Sequence, residues 1–252
     1  MMIDIEFILI GVYNLLVKIQ VVFKMKKYLL EIHSHTDEVS NCGQMPAAQM
    51  VGYFKERGYS GMMITDHLHS YTFKKLLKNN PNATWDDKID YFLRGYLIAF
   101  EEAKKVGGFS VYLGAELRFD ENDNDYLVFG LSEDKLRKMK DICAMGTEDG
   151  IKLVKSLGCT VIQAHPFRND CVVVEPGIYD GVEVYNGHPG HDSRNDIALM
   201  WGKKFNYIMT SGSDFHGEYE PNSGIYVDRI PKDEDELRQI ILNGDFELKT
   251  NA

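Results

Sequence analysis

The sequence predicts an α/β protein built as one barrel of parallel β/α units, and three observations carry this prediction. Apolar, strand-like runs alternate with helical patterns along the chain. The length of 252 residues, of which 44% are hydrophobic, is typical of a single α/β barrel with a full core. Side chains of metal-ligating type follow the predicted strands, at the rim where the loops of a parallel barrel converge.

Each element follows from a local pattern. The apolar run at 28–30 predicts a first strand, whose last residues would be His33 and His35. Pro46 and Gly58 mark the start and the end of the first helix. Further strands are predicted at 61–66, 111–117, 126–129, 160–164, 181–185 and 207–210. Further helices are predicted at 85–106, 149–157, 194–201 and 233–242.

The N-terminus carries an apolar run at 7–23 that we separate from the main domain. Acidic residues precede the run and no small-residue cleavage site follows it, which argues against a signal peptide. The run is short for a membrane span and contains Lys18. We therefore divide the chain into an apolar extension, 1–24, and one domain, 25–252. The extension is either a mis-assigned upstream segment or a loosely attached helix, and membrane attachment is the alternative.

Charge and cysteine content exclude further classes. The formal net charge of −10 argues against a long nucleic-acid duplex as partner, because binding along a phosphate backbone usually shows as an excess of basic residues. The four cysteines are scattered and form no CxxC pair. This distribution favours a reduced, cytoplasmic setting over a disulfide framework or a cysteine zinc site.

The histidines carry the first indication of chemistry. His33 and His35 are two residues apart, so on a strand they face the same side and can bind one ion. Two surface histidines at a strand end are the alternative interpretation. Other candidate ligands also follow strand-like runs: His67, Glu116, His165, Asp214 and His216.

These segments resemble the polymerase and histidinol phosphatase (PHP) family of metal-dependent phosphoesterases. The matching pieces, in the order of the family, are HSH at 33–35, TDH at 65–67, GAE at 114–116, AHP at 164–166 and SDFH at 213–216. The resemblance extends from Met25 to the C-terminus. It implies a distorted (β/α)7 TIM-like barrel that holds two or three divalent ions.

The resemblance also implies a role for each matched residue. One ion would be held by His33, His35, Glu116 and Asp214. Glu116 would bridge to a second ion that also binds His165, and His67 with His216 would serve a third. Glu116, Asp214 and His216 are the implied catalytic residues.

Two positions depart from the family pattern. The loop after His35 commonly supplies an aspartate or histidine to the third ion, and here we choose Glu38 for that role, with Asp37 next. The strand after Glu116 lacks the histidine that often binds the second ion. Asp125 could replace that histidine, and a solvated charge before a strand is the equal alternative.

Further polar residues surround the matched motifs. Arg118 and Arg168 are candidates for binding a phosphate through a bidentate fork, although surface arginines would look the same. His188 and His191 lie in a loop beyond a strand end, where a solvated position is favoured over a ligand role. Glu183 interrupts an apolar run, so its charge must be paired or lie near the metals.

The mixed imidazole and carboxylate set suits Zn²⁺, Mn²⁺ or Fe²⁺ better than Ca²⁺ or Mg²⁺. By resemblance, the expected function is hydrolysis of a small phosphorylated metabolite or nucleotide by a metal-activated water, as in a histidinol phosphatase. The rival hypothesis is a metal-stabilised binding or scaffolding module without turnover. We expect a cytoplasmic protein, and the oligomeric state stays open.

Overall fold

The structure is a computed structural model that describes residues 27–251. The apolar run at 7–23 and the predicted domain boundary lie outside the described residues. No helix between residues 27 and 251 combines the length and the apolar character that crossing a bilayer requires.

The described residues form eleven strands and eight α-helices. The strands are β1 Tyr28–Glu31, β2 Gly61–Ile64, β3 His67–Leu68, β4 Ser110–Leu113, β5 Ala115–Arg118, β6 Asp125–Phe129, β7 Thr160–Gln163, β8 Gly181–Asn186, β9 Ile208–Gly212, β10 Gly224–Val227 and β11 Glu247–Lys249. The helices are α1 Ala47–Glu56, α2 Lys74–Asn79, α3 Trp85–Phe92, α4 Arg94–Val106, α5 Glu133–Lys138, α6 Thr147–Ser156, α7 Asn195–Phe205 and α8 Glu234–Asn243, with a 3₁₀ turn at Ile142–Ala144.

The strands form two mixed sheets. One has the order β11-β10-β1-β2-β4 and the other β3-β5-β6-β7-β8-β9. The expectation of parallel units alone is wrong for β6, which pairs antiparallel with β5 and β7, and for β10, which pairs antiparallel with β1 and β11. Residues 119–124 join β5 to β6, and so short a connection permits only an antiparallel pair.

The two sheets meet along two seams. At one seam β4 passes into β5 through Gly114, so a single run of chain crosses from one sheet to the other. At the other seam Ser34 pairs in parallel with Phe215. There the His35 N–H donates to the Phe215 carbonyl (2.9 Å) and the Phe215 N–H donates to the His33 carbonyl (3.1 Å). Closure into the expected seven-stranded barrel stays a prediction.

Apolar side chains cover both faces of the sheet at β6. Leu127 and Phe129 belong to one buried cluster, whereas Tyr126 and Val128 belong to another. Successive side chains of a strand point to opposite faces, so β6 reads as a continuous apolar run because both of its faces are buried.

Three predicted elements differ in detail. The helix expected at 85–106 is two helices that separate at Leu93. The second, α4, packs directly on the loop after β1, because a Cβ on its Gly95 would lie 2.2 Å from Thr36 Oγ1. The strand expected at 111–117 is divided at Gly114. β1 ends at Glu31, so the two histidines of the HSH motif lie beyond the strand.

Candidate metal centre

Seven of the eight predicted ligands meet at one place, where β1, β2, β7 and β9 end and β5 runs past them. Glu116 lies on β5 and His67 begins β3, which pairs with β5 so that these two residues are neighbours. The remaining ligands lie just beyond strand ends. The residues brought together are His33, His35, His67, Glu116, His165, Asp214 and His216.

Glu116 is the centre of this group. Its Oε1 lies 3.2 Å from His33 Nε2 and 3.0 Å from His165 Nε2. Its Oε2 lies 2.9 Å from His67 Nδ1 and 3.3 Å from His35 Nε2. The side chain is 1% exposed. A buried carboxylate that reaches four imidazoles has the placement of a ligand shared between ions.

Asp214 completes the first candidate ion site. Its Oδ1 lies 3.3 Å from His33 Nε2 and 3.2 Å from His35 Nε2. His33, His35, Glu116 and Asp214 each place one ligand atom within 4.8 Å of the others, and all four are buried. Two imidazoles and two carboxylates form a donor set that suits a borderline divalent cation.

Unpartnered polar atoms show that this group fits metal ions. Several buried atoms have no hydrogen-bond partner among residues 27–251, and a buried polar atom without a partner costs about 1–3 kcal/mol. They include His33 Nε2, His35 Nε2, His67 Nδ1, Glu116 Oε2 and His216 Nδ1. Bound cations would use these lone pairs, so the residues present fit the expected ions.

Hydrogen bonds on the far side of the rings set the orientation of two ligands. His33 Nδ1 lies 2.9 Å from Glu183 Oε1, and His35 Nδ1 lies 3.3 Å from Ser40 Oγ. Glu183 Oε2 also accepts from the His165 backbone N–H (3.1 Å) and from Asn186 Nδ2 (2.9 Å). A carboxylate on Nδ1 fixes the tautomer that leaves Nε2 free for a metal. The expectation that Glu183 is paired or near the metals is confirmed.

Two candidate ligands have unusual backbone conformations. His165 has φ 27° and Asp214 has φ 50°, both in the left-handed region. Such positions cost of order 1–3 kcal/mol and persist where the surrounding structure imposes them. The Tyr219 hydroxyl donates to the Asp214 carbonyl and holds this turn.

The electrostatics of the cluster favour positive charge. Burial opposes charge on His35, but Asp214 and Glu116 outweigh it and raise its pKa to about 9. Burial also opposes charge on His165, whose neighbours nevertheless raise its pKa to about 10. Burial alone would raise the pKa of the Glu116 and Asp214 carboxyls, but His33 and other imidazoles lower both pKa values well below the usual range. Without cations, protons therefore occupy His35 and His165, whereas burial and the charge of His35 lower the pKa of His216 to about 3.

The structure places Glu38 away from the other predicted ligands. Its two carboxylate oxygens accept from the Ala47 N–H at 3.1 and 3.0 Å, at the first turn of α1. The reason is physical, since the first N–H groups of a helix need acceptors and favour a negative charge. Asp37, the second choice, is exposed.

Asp125 lies at the edge of the cluster. His67, Glu116 and Asp125 place ligand atoms within 4.8 Å of one another, and Asp125 Oδ2 is 3.8 Å from His165 Nε2. Arg118 holds the same carboxylate through two bonds of 2.7 and 2.6 Å. Asp125 is thus a buried ion-pair partner at the edge of the candidate metal cluster.

A cavity of about 570 Å³ opens beside the cluster. Arg168 lies in its wall, where Nη1 donates to Asp214 Oδ2 (3.4 Å) and Nη2 donates to Asp125 Oδ2 (3.2 Å). His188 is partly buried with its ring 5.1 Å from that of His216, so this loop histidine borders the site. The cavity is lined by Cys42, His67, Arg118, Asp123, Arg168, Asn169, Asp170, Gly190, His191, Asp192, Asp214 and His216.

No family model matches the sequence, and a search of curated proteins found no match. A structural match is a two-domain protein from Bacteroides vulgatus that contains a predicted PHP-like metal-dependent phosphoesterase, with a TM-score of 0.64 and 17% identity. The chain has a PHP-like fold. The match covers 88% of this chain and 64% of that protein, so this chain spans about two thirds of its length.

A second structure shares the PHP-like fold. It is a candidate metal-dependent phosphoesterase from Bifidobacterium adolescentis, with a TM-score of 0.51 and 17% identity, over 84% of this chain and 95% of that one. The resemblance read from the motifs is therefore confirmed at the level of the fold.

Sequence reasoning missed one residue beside the metal-ligand cluster. Cys42 places its sulfur within 4.8 Å of ligand atoms of His35, His67 and His216. Burial and the charge of Glu116 raise the pKa of the Cys42 thiol to about 12 when no cation is bound. Its position in the loop after the HSH motif is the available signal, and the carboxylates of Asp37 and Glu38 in the same loop mask it.

Proposed function

We propose that this protein is a metal-dependent phosphoesterase that hydrolyses a small phosphorylated metabolite or nucleotide, as a histidinol phosphatase does. We further propose that its two sheets curve into the distorted (β/α)7 barrel. The observation that carries the function is the buried Glu116 carboxylate among four imidazoles, beside an open cavity with two arginines.

The ligand set divides among two or three ions of Zn²⁺, Mn²⁺ or Fe²⁺. His33, His35, Glu116 and Asp214 would hold the first. Glu116 and His165 would contribute to the second, and His67 with His216 to a third. When bound, such ions lower the pKa of a water and neutralise charge on phosphoryl oxygens.

Arg168 has the better placement for the substrate phosphate. It is 19% exposed, and it reaches Asp125 and Asp214 through long bonds of 3.2 and 3.4 Å. A phosphoryl group can take over these donors as a bidentate acceptor. Arg118 is fixed more firmly by Asp125, so it would hold that carboxylate and Arg168 in place.

The cavity supports a small substrate. Three further aspartates lie in its wall: Asp123, Asp170 and Asp192. Their negative charge disfavours an extended polyanion, whereas a short phosphoester needs only the arginines and the ion cluster. A volume of about 570 Å³ falls within the range of small-ligand sites.

Turnover of p-nitrophenyl phosphate with added Mn²⁺ or Zn²⁺ tests this proposal, together with a panel of phosphorylated metabolites. The double variant His33→Ala, His35→Ala should fall to the rate measured without protein. Glu175→Gln, at an exposed position, should match the wild type. Equal rates in wild type and double variant, or no turnover of any ester, would instead support a non-catalytic, metal-stabilised binding module.

A further inference from the structure

We propose that the thiolate of Cys42 binds the third cation together with His67 and His216, and that sulfur makes this position take Zn²⁺ in preference to Mn²⁺ or Mg²⁺. The inference rests on the proposed function, because it assumes that cations occupy the cluster around Glu116. It deepens that function by assigning the ligand that sequence reasoning sought at Glu38.

The four ligand atoms are close enough to share an ion. Cys42, His35, His67 and His216 place one atom each within 4.8 Å of the others. Ligands of tetrahedral zinc, with bonds of about 2.0–2.3 Å, lie about 3.5 Å apart, so small rotations complete the site.

One of these four ligands belongs to the neighbouring ion. His35 Nε2 lies 3.2 Å from Asp214 Oδ1, within the group that holds the first ion, and one nitrogen lone pair serves one ion. Cys42, His67 and His216 remain for the third ion. Three protein ligands and an open fourth position are the arrangement of catalytic zinc sites.

The imidazole atoms aimed at this position have no other hydrogen-bond partner. His67 Nδ1 and His216 Nδ1 are buried, and neither makes a hydrogen bond to any residue that the structure describes. The same is true of His35 Nε2, which belongs both to this group and to the group of the first ion. The His35 side chain is fully buried, at 0% exposure. The rings of His67 and His216 each lie 4.5 Å from that of His35 and 6.4 Å from each other.

The backbone fixes the position of Cys42. Two residues later, the Gln44 N–H donates to the His216 carbonyl at 2.7 Å. Gly43 allows the loop to turn back this closely, because a Cβ there would lie 2.3 Å from the Thr36 carbonyl oxygen. The backbone of the loop that carries the exposed Cys42 is therefore held beside His216.

The loop offers sulfur to this site because its carboxylates are turned elsewhere. Glu38 accepts from the first turn of α1, and Asp37 is exposed. Thiolate ligands select Zn²⁺ and other soft or borderline ions, whereas Mg²⁺ and Mn²⁺ prefer oxygen. The identity of this one residue thus sets the metal preference of the third position.

Titration of the metal-free full chain with Co²⁺ tests the sulfur bond directly, because thiolate ligation produces a charge-transfer band in the near ultraviolet. Wild type should show the band at saturation, and Cys42→Ser should lack it. Cys159→Ser is the matched control, since Cys159 lies just before β7 and its thiol faces the Gly130 carbonyl, away from the candidate ligands. The control should keep the band.

Elemental analysis after Zn²⁺ loading gives the second measurement. Cys42→Ser should lose one equivalent of zinc while the other ions stay bound, and Cys42→Asp should shift that equivalent toward Mn²⁺. If a variant fails to fold, alkylation of the wild-type thiol replaces it: Zn²⁺ should slow iodoacetamide labelling of Cys42, mapped by mass spectrometry. A band that persists in Cys42→Ser, unchanged zinc content or unchanged labelling would overturn the inference.

The two proposals fail separately. A charge-transfer band that depends on Cys42, in a protein that hydrolyses no phosphoester, would uphold the sulfur ligand and overturn the proposed function. Hydrolysis that proceeds normally in a protein without the band would do the reverse.

Discussion

Glu183→Gln should weaken metal binding without unfolding the protein. In the wild type, Glu183 Oε1 lies 2.9 Å from His33 Nδ1, and Oε2 accepts from the His165 N–H and from Asn186 Nδ2. Glutamine has the same shape but only one acceptor oxygen. In one orientation the NH₂ group of glutamine faces His33 Nδ1, which then loses its acceptor. In the other orientation it faces the His165 N–H and Asn186 Nδ2, which then lose theirs.

The magnitude follows from the role of that carboxylate. Removing an outer carboxylate from a metal-ligating histidine typically lowers metal affinity by about 10–100-fold, or about 1.4–2.7 kcal/mol. The donor left without an acceptor costs about 1–3 kcal/mol of folding stability. Both effects are smaller than the stability of an ordinary domain, so the variant should still fold.

Competition with a chromophoric chelator measures the affinity of the metal-free protein for Zn²⁺, and circular dichroism confirms the fold. Glu175→Gln makes the same chemical change at an exposed position and should bind like the wild type. An affinity of Glu183→Gln within twofold of this control would refute the idea that Glu183 orients and polarises a ligand.

Three further perturbations probe the same site. In the metal-free protein the pKa is about 9 for His35 and about 10 for His165, above the value of about 6.5 in an unfolded chain. The two protonated imidazoles therefore stabilise the metal-free protein fully below about pH 6.5, and this stabilisation is lost as the pH rises through 9 to 10. A free energy of unfolding in urea that does not change across this pH range would contradict the prediction. Gly212→Ala would put a Cβ 2.5 Å from the His33 Cβ, so we expect a loss of about 1–3 kcal/mol and a lower Tm, whereas an unchanged Tm would count against the close packing. Arg168→Lys loses the bidentate fork, so KM for the phosphoester should rise about tenfold while the metal content stays unchanged. A KM within twofold of the wild-type value would show that Arg168 does not bind the substrate.

The alternating body of the fold could be predicted because its signals are local. Pro46 and Gly58 bracket α1, and the apolar run at β6 reflects a strand buried on both faces. β10 and β11 escaped prediction because their stability comes from pairing across the chain. Tyr28 pairs with Val227, and nothing in either short segment encodes that distant partner.

The meeting of the candidate ligands at one site could be predicted from the positions of the strands. His67, His165 and Asp214 each follow an apolar run, and the fold brings such positions to one rim. The loop after the HSH motif was harder, because Glu38 could serve equally as a ligand or as an acceptor for a helix start. Which of these roles Glu38 takes depends on where the backbone of the loop turns. That turn requires the close approach of Gly43 to the Thr36 carbonyl.

The most direct test of the central claim is the number of cations bound per chain. The claim is that side chains distant in sequence form one multi-ion site around Glu116. The full chain would be stripped with a chelator, loaded with Zn²⁺ or Mn²⁺, passed through gel filtration and analysed for metal. Wild type and the exposed-site control Glu175→Gln should retain at least two ions per chain, and Glu116→Gln should lose at least one of them. A wild-type protein that retains no divalent cation, or a Glu116→Gln variant that retains as many as the wild type, would contradict the account.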